Sequence, residues 1–152
     1  MLLVMYGLYR VLPLAAGASA LADRIAYALV ANLFASLPLL AVIASVGNAR
    51  ATSEAIDPTL GKETQSMLID GRVADNTLQQ LLLFSAATLA LSVNLDRTNL
   101  HIIAAAAITF VAARILFWVG YRLDPLYRAA GFAATFYLNL GLIAGALWLA
   151  VR

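Results

Sequence analysis

Long apolar stretches separated by short polar segments are the main pattern along the chain. Four of them predict helices that cross a membrane, at about residues 25–47, 74–94, 99–121 and 129–151. Each is close to the roughly 20 residues that a helix needs to cross about 30 Å of hydrocarbon. Short connections, such as 95–99 and 122–128, make consecutive helices antiparallel neighbours. We therefore predict an all-α membrane protein, an up-down bundle of four transmembrane helices.

The composition supports this class. Hydrophobic residues occupy 63% of the 152 positions and charged residues 12%, whereas soluble domains average about 45–50% and about 25%. Small residues in the third and fourth spans, including Gly141 and Gly145, predict close helix packing. Because the cations are scattered, we expect no nucleic-acid partner. The chain has no cysteine, and we interpret the lone His101 as an interfacial or hydrogen-bonded residue, so we expect no metal site.

Residues 1–23 form an N-terminal apolar segment outside the four-helix domain, which we assign to residues 24–152. Ala18-Ser19-Ala20 has the form of a signal-peptide cleavage site. Arg10, however, lies where a signal peptide needs its apolar region, and no basic segment precedes it. We favour an interfacial segment, or the remnant of a longer helix, with a signal peptide as the alternative.

Basic residues predict the orientation of the bundle. With four spans, segments 48–73 and 122–128 lie on the same side of the membrane. That side carries Arg50, Lys62, Arg72, Arg122 and Arg128, and the opposite side carries Arg10, Arg24, Arg97 and Arg152. Cytoplasmic loops are enriched in Lys and Arg. We therefore predict that segments 48–73 and 122–128 are cytoplasmic.

Polar residues within the spans are the candidates for function. Arg72, Asn76 and Gln79 share one helical face, because their spacing is i, i+4, i+7. A helix that simply starts at Arg72 also explains this set, and Asp75 is then within reach of Arg72. On the next span Arg114, Phe117 and Tyr121 recur at i, i+3, i+7.

Arginines cluster near one membrane face in this arrangement. Anchoring at the cytoplasmic surface explains Arg122 but not Arg114, which lies about two turns inside its span. A charge at membrane depth costs roughly 2.5–3.5 kcal/mol on insertion scales, so such residues tend to be paired or functional. With Arg72 and Arg128 nearby, the sequence predicts a cleft for a small polyanion, because guanidinium groups suit bidentate pairing with carboxylates.

Two motifs carry a resemblance to a known family. The pattern Arg72-x-x-x-Asn76-x-x-Gln79-Gln80 opens one span, and Ala113-Arg114-Ile-Leu-Phe117-Trp-Val-Gly120-Tyr121-Arg122 closes the next. Their order and separation resemble the MAPEG family, the membrane-associated proteins in eicosanoid and glutathione metabolism, and its bacterial members in particular. The resemblance covers about residues 24–151. It implies a homotrimer in the bacterial inner membrane, with glutathione bound between subunits near the cytoplasmic face.

The resemblance also implies roles for individual residues. Arg128 looks like the catalytic arginine that stabilises the glutathione thiolate. The residues that look like the glutathione-binding set are Arg72, Asn76, Gln79, Arg114, Tyr121 and Arg122. The chain departs from the family pattern, since Gln79 stands where Glu is usual, and Gln80 and Phe117 where the best-characterised enzymes have Tyr. Gln79 in place of Glu weakens the expected binding of the glutathione amino group. Gln80 and Phe117 in place of Tyr remove two hydroxyl donors.

The function implied by the resemblance is that of a membrane-bound glutathione transferase or peroxidase. It would use glutathione as co-substrate and act on small lipophilic electrophiles from the surrounding membrane lipid. The alternative is a non-catalytic protein of the same type that binds lipid or a partner. A four-helix transporter is a third hypothesis, but the spans lack a central acid for coupling.

Overall fold

The computed structural model describes residues 2–13 and 20–152. Its α-helices are α1 (Leu2–Val11), α2 (Leu21–Ala35), α3 (Leu37–Ala51), α4 (Gln65–Asn94), α5 (Ile102–Leu123) and α6 (Arg128–Ala150). Single 3₁₀ turns lie at Glu54–Ile56, Pro58–Leu60 and Arg97–Asn99. Within the described residues, four segments are long and apolar enough to cross a membrane: Leu21–Ala51, Gln65–Asn94, Arg97–Leu123 and Arg128–Ala150. The prediction of an all-α bundle with four spanning helices is confirmed.

The first span is interrupted at Ser36, between α2 and α3. Pro38 lies in the first turn of α3, where a missing N–H is tolerated. Ser36 N–H still donates to Asn32 O at 3.0 Å, and the Ser36 hydroxyl donates to Leu33 O at 2.7 Å. The interruption therefore divides one span into two helices without ending it.

The fourth helix starts earlier than the predicted span at residue 74. Thr64 caps it by accepting a hydrogen bond from Met67 N–H. Met67, Asp70 and Val73 are buried, and their i, i+3, i+6 spacing turns one face of this first stretch toward α3. The helix therefore begins at Gln65, within a polar segment, because one face of that segment packs against α3.

Small side chains allow the helices to approach closely. Ala28, Ala31 and Ala35 of α2 are buried against the core, and Phe84 and Phe110 pack with their ring centroids 4.8 Å apart. At Gly141 and Gly145, in contrast, no atom of a neighbouring helix lies within 4 Å of the position that a Cβ would take. The predicted close packing at these two glycines is therefore absent among the described residues of the single chain.

Arg24 joins the first span to the end of α4. Its guanidinium donates to Ser92 O at 2.9 Å and Val93 O at 2.8 Å, and also to Leu95 O. The last carbonyls of a helix lack intrahelical partners, and a cation is favourable there. This contact closes the bundle on the side opposite the long connecting segment.

The N-terminal helix α1 packs against α5 on that same side. Tyr9 stacks on the buried His101 with ring centroids 4.3 Å apart, and its hydroxyl donates to Asn99 Oδ1 at 2.9 Å. His101 is thus a packed residue near the start of its span. The proposed cleavage motif at residues 18–20 lies largely outside the described residues, and an interfacial position for α1 stays a prediction.

Candidate functional site

A cleft of about 300 Å³ lies where α4, α5 and α6 meet on the side of the long connecting segment. It is lined by Arg72, Asn76, Phe117, Tyr121, Arg128, Ala129 and Phe132. Three helices therefore contribute side chains from positions as far apart in sequence as 72 and 132. Four of the residues predicted for the site, Arg72, Asn76, Tyr121 and Arg128, lie together in this cleft.

Tyr121 lies between the two arginines of the cleft. Arg72 Nη1 is 3.5 Å from the Tyr121 hydroxyl, at the long end of hydrogen-bond distances. Arg128 Cζ is 4.6 Å from the centroid of the Tyr121 ring, within the range of a cation–π contact. Tyr121 is 5% exposed, whereas both arginines are exposed. The two guanidinium groups are thus held beside a fixed ring and keep N–H donors available for an anion.

Arg114 lies behind the cleft, fully buried at 1% exposure. It donates to Asn76 Oδ1 at 3.1 Å and to Thr135 Oγ1 at 3.0 Å, and its Cζ lies 4.0 Å from the Phe117 ring centroid. Its Nε has no hydrogen-bond partner within the described residues. Arg114 therefore orients Asn76 and Phe117, which line the cleft, and affects the shape of the site without lining it.

The wall between α5 and α6 depends on two glycines. A Cβ on Gly131 would lie 2.4 Å from Phe117 N, and one on Gly120 would lie 2.8 Å from Tyr127 O. Both contacts are with backbone, which a side chain cannot displace without moving a helix. These glycines therefore set the short separation that brings Arg128 next to Tyr121.

The charges around the cleft are unbalanced. Within residues 2–13 and 20–152, ion pairs join Arg50 to Glu63, Lys62 to Glu54 and Arg122 to Asp70. None of these pairs includes an arginine of the cleft or Arg114 behind it. Asp75, predicted to be within reach of Arg72, forms no ion pair with it in this part of the chain. The arrangement can therefore accept an anionic ligand without first breaking an ion pair.

Besides Arg114, two further residues of the predicted set do not line the cleft within one chain. Gln79 is exposed and is not among the lining residues. Arg122 is held by Asp70 on another face of α5. Their contact with a ligand stays a prediction. Asp70 itself was missed by sequence reasoning, because its partner lies 52 positions away and no helical spacing connects them.

Gln80 also has a structural partner, deeper in the bundle. Asn139 Nδ2 donates to Gln80 O at 2.9 Å and to Gln80 Oε1 at 2.8 Å, and both residues are buried. Gln80 is therefore used here to join α4 to α6. No group of three or more metal-ligating side chains occurs in the described part of the chain.

Comparison with known proteins identifies the family. The family model for the MAPEG family matches residues 25–148, a range that holds nearly all of the four spans and every residue of the cleft. The chain belongs to the MAPEG family. Among curated proteins and among solved structures, no significant match is found. The MAPEG match begins after α1, so this helix lies outside the matched residues. Membership makes the protein an integral membrane protein of a family linked to glutathione or eicosanoid metabolism.

Proposed function

We propose that the protein is a membrane-bound glutathione transferase or peroxidase that acts on lipophilic electrophiles. The observation that carries the proposal is the cleft in which Arg72, Asn76, Tyr121 and Arg128 meet without a carboxylate among its lining residues. Glutathione has two carboxylates for the guanidinium groups and amide groups for Asn76. Arg114 supports Asn76 from behind. The donor set therefore fits a small, anionic peptide thiol.

In the proposed reaction Arg128 stabilises the thiolate of bound glutathione. A guanidinium nearby lowers a thiol pKa and so raises the fraction of the nucleophilic form. The thiol proton passes to water, and the thiolate attacks the electrophilic carbon. A carbon–sulfur bond forms, and the leaving group departs with its bonding electrons. In the peroxidase reaction the thiolate attacks a peroxide oxygen, the O–O bond breaks, and the departing alkoxide takes up a proton. A second glutathione then attacks the sulfenic acid of the first, which gives glutathione disulfide and water.

The lipophilic substrate would enter from the bilayer. Phe132 lines the cleft and is 41% exposed on the outer surface of the single chain. It stacks on Phe136 with ring centroids 6.1 Å apart, so an aromatic surface extends from the cleft along α6. A substrate dissolved in the membrane would reach the thiolate along this surface.

The test is glutathione binding and conjugation of a chlorinated aromatic substrate by the purified full chain in detergent. Arg128→Ala is expected to lower turnover by about two orders of magnitude, the loss typical of removing a group that stabilises developing charge. Arg152→Ala is the matched control, because Arg152 also lies over an aromatic ring, that of Trp148, but follows the opposite end of α6. Undiminished turnover in Arg128→Ala would reject the assigned role.

The same measurements distinguish the proposed enzyme from the alternative, a non-catalytic binding protein. Binding of glutathione without any turnover, or no binding at millimolar concentration by folded protein, would favour a non-catalytic protein that binds lipid or a partner.

A further inference from the structure

A buried carboxylate joins α3, α4 and α5 beside the cleft. Asp70 of α4 is 2% exposed. Its oxygens accept hydrogen bonds from Ser45 Oγ at 2.8 Å, Trp118 Nε1 at 2.8 Å and Arg122 Nε at 2.9 Å, and from Arg122 Nη2. Arg122 Nη2 also donates to Ser45 Oγ at 3.1 Å. Four accepted hydrogen bonds fill the capacity of the two oxygens.

We propose that the Asp70–Arg122 ion pair is a positioning device for the cleft, and that Arg122 acts through Asp70 rather than by touching the ligand. Asp70 precedes Arg72 by two residues on α4, and Arg122 follows Tyr121 on α5. Successive residues of a helix point about 100° apart. The ion pair therefore lies on other faces of the two helices than Arg72 and Tyr121, and fixes their relative position without entering the cleft.

The contact that this pair protects is sensitive to small shifts. Arg72 and Tyr121 approach only to 3.5 Å, so a displacement of α4 against α5 separates them. The buried apolar cluster at this level is small. It consists of Val42, Val73, Phe117 and Tyr121, with Leu39, Ile69, Ala74 and Trp118 packed against it. That the ion pair affects glutathione binding rests on the proposed function. That it fixes the position of α4 relative to α5 does not.

The first experiment compares Asp70→Asn and Arg122→Lys in the full chain. Each is expected to raise the Kd for glutathione about tenfold, the effect of losing about 1.4 kcal/mol of binding free energy, because a displaced Arg72 would lose part of its hydrogen bonding to the ligand. Glu63→Gln is the matched control, since it breaks an ion pair on the same membrane side that does not join α4 to α5. An unchanged Kd in both variants, with lowered unfolding temperatures, would mean a purely structural pair and overturn the proposal.

A double-mutant cycle separates positioning from direct contact. If Arg122 acts through Asp70, Arg122→Lys adds no further loss in the Asp70→Asn background. Losses that multiply in the double variant would show that Arg122 touches the ligand independently, and would overturn the proposal.

A second readout needs no ligand. Because the chain has no cysteine, the double substitution Arg72→Cys/Tyr121→Cys introduces two thiols on facing parts of α4 and α5, and the rate at which a short bismaleimide joins them reports the α4–α5 separation. Asp70→Asn is expected to change this rate severalfold, and Glu63→Gln to leave it unchanged. If the unmodified protein binds no glutathione, the proposed function fails, and an unchanged cross-linking rate would separately overturn the positioning pair. If Asp70→Asn does not fold, Asp70→Leu/Arg122→Leu replaces it, since it leaves no buried charge unpaired.

Discussion

At the scale of single residues, Arg114 illustrates how a buried charge shapes the site without lining it. Its planar guanidinium donates to Asn76 and Thr135 at the same time and covers the Phe117 ring. Sequence reasoning identified Arg114 because a charge two turns inside an apolar span is costly. It could not show that Arg114 acts through Asn76, since that contact joins two helices.

We predict that Arg114→Lys destabilises the protein and weakens glutathione binding. A lysine keeps the charge but lacks the fork that reaches both partners, and a buried acceptor without a donor costs about 1–3 kcal/mol. Thermal unfolding and a glutathione titration in detergent measure the two effects. Arg152→Lys, at an exposed position beyond the end of α6, should change neither. For Arg114→Lys, an unfolding temperature and a glutathione affinity equal to those of the wild type would contradict the proposed role of Arg114.

At the scale of helices, much of the fold follows from sequence pattern. Apolar length predicts the four spans, and the i, i+4 spacing predicts that Arg72 and Asn76 share a face. The pattern does not predict where α5 and α6 touch. Gly120, Gly131 and Gly141 look alike in sequence, but only the first two meet a neighbouring backbone. Register between helices decides this, and a single sequence contains no direct signal for it.

We predict that Gly131→Ala separates α5 from α6. The added Cβ would lie 2.4 Å from Phe117 N, and overpacking of this kind typically costs about 1–3 kcal/mol. Because Arg128 and Phe132 belong to the same part of α6, glutathione binding should fall together with the unfolding temperature. Gly141→Ala on the same helix meets no neighbouring atom within 4 Å, so it should retain both. Equal behaviour of the two variants would reject the close-packing explanation.

At the scale of the whole molecule, α4 indicates that the single chain is incomplete in a membrane. It is the least hydrophobic of the four spans, and Arg72, Asp75 and Gln79 are exposed on it. A charged side chain that faces lipid is unfavourable, with a cost that rises to roughly 2.5–3.5 kcal/mol at the bilayer centre on insertion scales. Association of subunits would cover this face, including Gln79.

We therefore predict that subunits associate through this face, and the family resemblance implies that they form a homotrimer. Native mass spectrometry of the full chain in mild detergent should give three copies. Asp75→Leu tests the physical reason, because it makes the exposed face less polar and should raise the share of single-chain species without unfolding the chain. A folded protein of single-chain mass in several detergents would contradict the prediction.

The orientation of the bundle determines whether the cleft can meet glutathione at all. The cleft lies on the side of the connections at 52–64 and 124–127, and that side carries five of the nine cations assigned to the two faces. Three of them form ion pairs with acids. The enrichment of cytoplasmic loops counts Lys and Arg rather than net charge, so this pairing does not weaken the prediction of a cytoplasmic side.

Single cysteines test this orientation directly, because the native chain has none. Thr59 and Thr98 are exposed on opposite sides of the bundle. A membrane-impermeant maleimide should label Thr59→Cys in inverted vesicles but not in intact cells, and Thr98→Cys in the reverse pattern. The opposite labelling would place the cleft outside the cytoplasm, where the thiol donor is scarce, and would make a glutathione-dependent reaction at Arg128 untenable even if every contact in the cleft were correct.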